Sequence, residues 1–401
     1  MLSRRRPPLV GLRCFVAWAL VPAVGLGAGE PPSRGVTTEV HGEVAGYTDS
    51  DAVTVFTPSV GVKVRDTGSG WSAGGSYLVD VVSAASVDIV STATERWTEV
   101  RHAGGLNAGY KPYDLGATLS GSVSREPDYL SLTGGGRFDW DLFQKTVTPA
   151  LGYAFTHDTA GRTGTPFSVY SLETDRHALN TDVALVLDRS TTLNLGADLV
   201  FEVGNQEKPY RYVPLFAEDV APKVVPGMSV ETVNLVRLPG RTAERLPTTR
   251  QRYAASARLA QRHAHDTLVA KERVYTDSWG LKATTTDLRW VFDLTRQLQL
   301  WPALRVHFQS GVSFWKLAYV GSVATDGSLG VPRYRTGDRE LSPLGEGTLG
   351  AGMRLNLGSP SDPSAFAITF LADGMLTRYS EALFIKQRFG AFTAAQLEVK
   401  L

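Results

Sequence analysis

Cysteine is almost absent from this chain, and the one residue of its kind, Cys14, lies in an apolar stretch near the N-terminus. Disulfides, thiolate metal centres and a cysteine nucleophile are therefore excluded from everything downstream. Methionine is nearly as scarce, with 4 residues. After that first stretch no run of eighteen apolar residues occurs, which excludes helical membrane spans, since these need about 20. No zinc-ligand spacing, Gly-rich phosphate loop or serine elbow is present. An excess of basic charge is missing too: Lys+Arg 41 stand against Asp+Glu 40, and nothing calls for a nucleic-acid partner.

The N-terminus has three parts. Arg4, Arg5 and Arg6 precede an apolar run from Val10 to Gly27, which reaches small residues at Gly25, Gly27 and Ala28. This is the pattern of a cleaved secretory signal peptide over residues 1–29, with cleavage near Gly27 or Gly29. The alternative, a single membrane anchor, fits less well because Arg13 interrupts the run. Leu12 and Arg13 before Cys14 do not form the small-residue box that lipid attachment requires. Loss of Arg4, Arg5, Arg6 and Arg13 leaves 37 basic against 40 acidic residues, a net charge of about -3.

What the chain has in quantity is alternation. Leu288, Trp290, Phe292 and Leu294 share one parity, against Asp287, Arg289, Asp293 and Thr295 on the other. Leu300, Leu304, Val306, Phe308, Val312 and Phe314 alternate in the same way with Gln299, Arg305, His307, Gln309 and Ser313. The reading is one long hairpin over Leu281 to Trp315, turning at Arg296-Gln297-Leu298. Leu193 to Val203 and Leu115 to Val123 repeat the pattern. Strands of roughly fifteen residues exceed the usual five or six, a length that an outer membrane rewards. Gly 40 and an unclustered Phe 16, Tyr 14 and Trp 8 suit a barrel wall.

A soluble sandwich or propeller alternates as well, and the connections separate the two readings. Strands are expected at about 36–48, 52–66, 70–82, 97–110, 114–126, 131–144, 147–159, 177–188, 192–204, 249–263, 266–276, 281–295, 299–315, 342–357, 364–379 and 388–401. That gives an all-β, antiparallel transmembrane β-barrel of about 16 strands, with 14 as the alternative count, over residues 30–401. Short turns at Thr67-Gly68-Ser69, Lys111-Pro112-Tyr113, Lys145-Thr146, Arg189-Ser190-Thr191, Ala264-His265, Arg296-Gln297-Leu298 and Gly358 to Pro363 all fall on one side. The long connections 83–96, 160–176, 205–248 and 316–341 all fall on the other. Short periplasmic turns and long outer loops sort in this way, and a soluble β protein has no reason to. The long outer loop 205–248 carries Tyr210, Tyr212, Val213, Leu215 and Phe216, too apolar for a freely waving loop. The final strand, from Phe389 to Leu401, alternates to the last residue, as expected of a strand read by the outer-membrane assembly machinery. The implied location is the cell outer membrane, with its lipid as the surrounding partner.

Parity then assigns the lumen. A basic arc is expected from Arg250, Arg252, Arg258, Arg262, Lys271, Arg273, Arg289, Arg305 and His307, with Asp287 and Asp293 in partial compensation. Acidic groups facing it are Asp182, Asp198 and Glu202. Such a lumen would set a transverse field that favours anions along one wall. The competing reading is that these arginines pair with nearby carboxylates and stiffen or plug the barrel.

For chemistry the sequence offers little. His41, His102, His157, His177, His263, His265 and His307 are scattered, and only His263 and His265 share a face, beside a short turn. A membrane-embedded hydrolase would need His307 with Ser313 or Asp293. No catalytic residue, metal or cofactor is expected.

Several stretches resemble a family of bacterial outer-membrane proteins known only as a domain of unknown function. They are Tyr77-Leu78-Val79-Asp80, residues 83–91, Pro209-Tyr210-Arg211, Asp277-Ser278-Trp279-Gly280, and Arg305 with Phe308-Gln309. The resemblance runs from about Glu39 to Leu401, with departures at Lys282-Ala283-Thr284 and His307. It implies a barrel fold and no activity. The functional expectation is a passive channel or transporter for small polar, anion-biased solutes. The alternative is a plugged barrel acting through its outer loops as a structural or surface-binding protein.

Overall fold

The computed structural model describes residues 35–84, 97–209, 211–240, 242–323, 329–359 and 362–401. The expected signal peptide with Cys14, most of the connection 83–96, and Tyr210 lie outside them. Sixteen strands close into one antiparallel barrel in sequence order. They are β1 Val36–Asp49, β2 Val53–Asp66, β3 Trp71–Ala84, β4 Trp97–Tyr110, β5 Leu115–Glu126, β6 Tyr129–Trp140, β7 Val147–Ala160 and β8 Leu172–Val186. There follow β9 Thr191–Gly204, β10 Thr249–Arg262, β11 Asp266–Asp277, β12 Lys282–Asp293, β13 Leu298–Gln309, β14 Leu344–Asn356, β15 Phe366–Tyr379 and β16 Gln387–Lys400. The seam is β1 on β16, in register from Glu39↔Lys400 to Asp49↔Gly390.

Closure satisfies every strand's backbone without an edge, the one way a sheet can face hydrocarbon. At about 3.3 Å per residue and a tilt of about 45°, strands of this length reach roughly 28 Å or more along the barrel axis, matching a hydrocarbon core of about 30 Å. The outward parity is apolar and bare: Leu106, Leu119 and Leu349 are 74%, 71% and 70% exposed, alongside Phe138, Trp140, Leu151, Tyr153 and Phe308. Among the described residues no helix is long and apolar enough to cross a membrane.

Connections keep the expected sorting. Residues 67–70, 111–114, 141–146, 187–190, 263–265, 294–297 and 357–365 form one end, and the long segments 205–248 and 310–343 lie at the other. These two long segments fold on each other. Tyr212–Val213 pairs with Thr242–Ala243, and Leu215–Phe216 lies parallel to Tyr319–Val320. A short helix, α1 Val230–Val236, starts at Ser229, whose hydroxyl accepts from Thr232 N at 3.3 Å. Phe216, Val224 and Val233 are buried together, packed by Met228, Leu317 and the 380–386 turn residues Leu383 and Phe384. The result is a cap with its own hydrophobic core.

Three boundaries differ from expectation. The hairpin is Lys282–Gln309, and Val312 and Phe314 do not face lipid. Val312 is buried with Leu246, Trp279 and Leu281, and Phe314 packs on that cluster. β8 begins at Leu172, before the expected residue 177, which brings Arg176 onto the barrel wall. β6 ends at Trp140, and the chain turns through Phe143, Gln144 and Lys145, each at positive φ.

Candidate functional site: the lumen wall and its cap

The parity opposite the lipid face carries a ladder of ions near the long-loop end. Arg176 Nη2 lies 3.1 Å from Asp158 Oδ2, and its Nε donates to Glu202 Oε1 at 2.9 Å. Arg252 Nη2 approaches the other oxygen of Glu202 at 2.8 Å. Arg250 pairs with Asp277 and lies over the Trp279 ring at 4.2 Å. Asp277 also accepts from Tyr275 Oη at 2.9 Å and from the backbone of Trp279 and Leu281 at 2.9 and 3.0 Å. Glu202 and Arg250 are buried, and removing one partner of such a pair would leave the other charge uncompensated. The ladder crosses β7, β8, β9, β10 and β11.

Further toward the short-turn end the wall carries more pairs. Arg137 meets Asp182 at 2.7 Å, Arg273 meets Asp198 at 3.4 Å, and Arg305 meets Asp287 at 3.6 Å. Arg262 pairs with Asp293, and Arg354 with Glu398 at 3.1 Å. Asp198 and Glu202 do not face the basic arc across the lumen. They sit on β9, hydrogen-bonded directly to β10, with Arg250 opposite Glu202 in register. Pairing along the wall thus replaces the expected field between facing walls.

Of the expected arc, Arg250, Arg252, Arg262, Arg273 and Arg305 are each paired. Arg258, Lys271 and Arg289 make no ion pair among the described residues. Arg258 and Lys271 are register partners on β10 and β11. Arg289, two strands from Arg258, lies close enough to repel it electrostatically and is drawn to Asp373 and Asp287. Its guanidinium stands 5.9 Å from the Trp301 ring. Trp301 is itself buried against Gly352, where an added Cβ would meet the indole at 2.1 Å.

The residues weighed for hydrolysis are not brought together. His307 Nδ1 is 2.8 Å from Thr285 Oγ1, while Asp293 is held by Arg262 and by Gln299 Nε2 at 2.8 Å. Thr285↔His307 and Asp293↔Gln299 place the two at opposite ends of the hairpin. Ser313 lies in the cap, its N donating to Trp279 O at 2.7 Å. His263 contacts Asp266 Oδ1 at 2.8 Å by the short turn.

Within the cap, a polar cavity of about 440 Å³ is lined by Glu207, Glu244, Arg245, Arg333 and Arg335 among others. Arg211 joins Asp338 at 2.5 Å and Glu244 at 3.7 Å, and Thr336 Oγ1 donates to Glu244 at 2.5 Å. Burial raises the Glu244 carboxyl above the usual range against the pull of Arg211. Asp338 is also desolvated, but Arg211 and Lys208 hold it below its ordinary value. Burial pushes the Tyr319 phenol up to about 12.

Arg176, Asp158, Arg354, Glu398 and the whole cap network escaped sequence reasoning. For Arg176 the available signal was the parity it shares with Asp182.

Residues 173–362, just under half of the chain, match the model of a family described as "Protein of unknown function (DUF3570)". None of the curated proteins matches the chain. Among solved structures, the siderophore receptor PirA from Acinetobacter baumannii is similar at 10% identity and TM-score 0.44, over 87% of this chain and 54% of that one. The chain thus spans about half the length of that receptor. OccK5 (OpdH) of Pseudomonas aeruginosa is similar at 7% identity and TM-score 0.41, over 91% of this chain and 98% of that one. The outer membrane protein OpdK of Pseudomonas aeruginosa gives 6% identity and TM-score 0.42, over 92% and 99%. The closed wall and apolar exterior make this chain a barrel of the outer-membrane type.

Proposed function

We propose that the protein is a passive channel for small polar solutes, biased toward anions, in the cell outer membrane. The observation that carries this reading is the group Arg258, Lys271 and Arg289 on the lumen parity, none in an ion pair among the described residues. Like charges set opposite one another on adjacent strands oppose sheet stability, so Arg258 and Lys271, register partners on β10 and β11, are kept at a cost. An anion in transit supplies the missing partner. A sixteen-stranded barrel is wide enough to enclose water. No enzymatic step and no cofactor is needed for this role. The surrounding lipid and, during insertion, the barrel assembly machinery are the expected partners.

A second reading is favoured by one observation, the buried cap core of Phe216, Val224 and Val233. A loop pair with its own core suits a closed barrel whose outer surface binds a partner. Planar-bilayer recording of the purified protein separates the two. Repeated insertions that stay silent would sink the channel, and current that appears only when residues 205–248 are shortened would identify the cap as a plug.

A further inference from the structure

Three carboxylates at the long-loop rim take no part in the ladder. Glu99 is near the start of β4, Glu126 ends β5, and Asp128 lies in the turn to β6. One oxygen from each falls within 4.8 Å of the others. Glu99 and Asp128 are both 6% exposed, so water does little to screen them from each other. The charges acting on Glu99 are those of Glu126 and Asp128, both negative.

An acidic cluster alone is ordinary. Glu99 adds something separate: its Oε1 is shut off from solvent and has no hydrogen-bond donor among the described residues. A buried carboxylate oxygen left without a donor or counter-charge is expensive. The turn beneath it is also fixed in place. Gly161 N donates to Asp128 O at 2.7 Å, and Thr163 Oγ1 donates to Asp128 Oδ2 at 3.1 Å. The β7–β8 loop therefore holds Asp128 against Glu99 without neutralising either.

We infer that Glu99, Glu126 and Asp128 form a calcium site that clasps β4, the β5–β6 turn and, through Thr163, the β7–β8 loop. Calcium takes oxygen ligands at about 2.3–2.6 Å, so ligand atoms on opposite sides of one ion stand about 5 Å apart, the spread of this cluster. A set of carboxylates with no His or Cys is hard, which disfavours zinc and copper. Magnesium demands near-ideal octahedral geometry and keeps most of its water, whereas calcium accepts irregular carboxylates plus a few waters. The ion supplies the positive charge that Glu99 lacks among the described residues.

The test uses the full-length barrel, refolded in detergent without lipopolysaccharide, with calcium chloride or EGTA as the only addition. Calcium should raise the midpoint of heat-modified gel migration, and terbium luminescence sensitised by neighbouring Tyr129 should be competed away by calcium. Glu99→Gln should lose at least about tenfold in calcium affinity. In EGTA the same variant should melt no lower than wild type, because the substitution relieves repulsion. Midpoints that coincide in calcium and EGTA would overturn the site. So would a Glu99→Gln protein that keeps its calcium response, or one that melts below wild type in EGTA, which would mean that the carboxylate is held by protein groups instead. None of these readouts depends on conductance, so failure here leaves the channel reading standing, and the reverse.

Discussion

Arg258 and Lys271 stand directly opposite each other on β10 and β11, and neither makes an ion pair among the described residues. Replacing both Arg258 and Arg289 with glutamine should move the zero-current potential in a potassium chloride gradient toward that of a cation-preferring pore. The paired double substitution Arg262→Gln with Asp293→Asn removes one charge of each sign and should leave the potential near wild type. If the two proteins behave alike, the three cations do not set selectivity.

Asp277 binds the ladder to the cap, through Arg250 on one oxygen and the Trp279 and Leu281 amides on the other. Asp277→Ala leaves the Arg250 guanidinium buried without a counter-charge, which costs about 3–5 kcal/mol when a buried pair is broken. The loss would be read from urea unfolding in micelles. Changing Arg250 to Met as well should recover part of it, and a purely additive pair would argue against direct coupling.

The charge ladder also shows why the lumen was harder to read than the fold. Sorting of connections by side was plain because only lengths were needed. Arg176 was assigned to a loop because a wet lumen lets a strand begin with Glu173, Asp175 and Arg176, a composition that in a soluble protein marks a loop. Val312 and Phe314 misled in the opposite direction. Alternation records that one face is dry, and a dry face can meet lipid or, as here, Leu246 and Trp279. The β9–β10 register was not legible at all, since a connection spanning residues 205–248 gives no local clue to which residues end up side by side.

The cap should fail without the barrel. Phe216 is fully buried, and Phe216→Ala should cost the cap about 3–5 kcal/mol. Limited proteolysis should then cut within 205–248 while heat-modifiable migration stays unchanged. Cleavage only after the barrel itself unfolds would show that the two are one cooperative unit.

Gly352 makes room for Trp301 on the lumen wall. Gly352→Ala should destabilise the barrel by about 1–3 kcal/mol through overpacking, measured by the same urea titration. Combining it with Trp301→Leu should restore most of the loss. If the double variant is no better than the single, the close approach is not what the glycine serves.

The seam between β1 and β16 bears on how the molecule comes into being. Thr38 and Leu401 exchange backbone hydrogen bonds at 2.9 and 2.7 Å, joining residues from the two ends of the described chain. Until that pairing forms, fifteen pairings between successive strands still leave two ribbons of naked amides at the margins, and hydrocarbon tolerates neither. Contacts so distant along a polypeptide form slowly. Closure of the wall therefore waits on the pairing of its first strand with its last, the contact most distant along the chain.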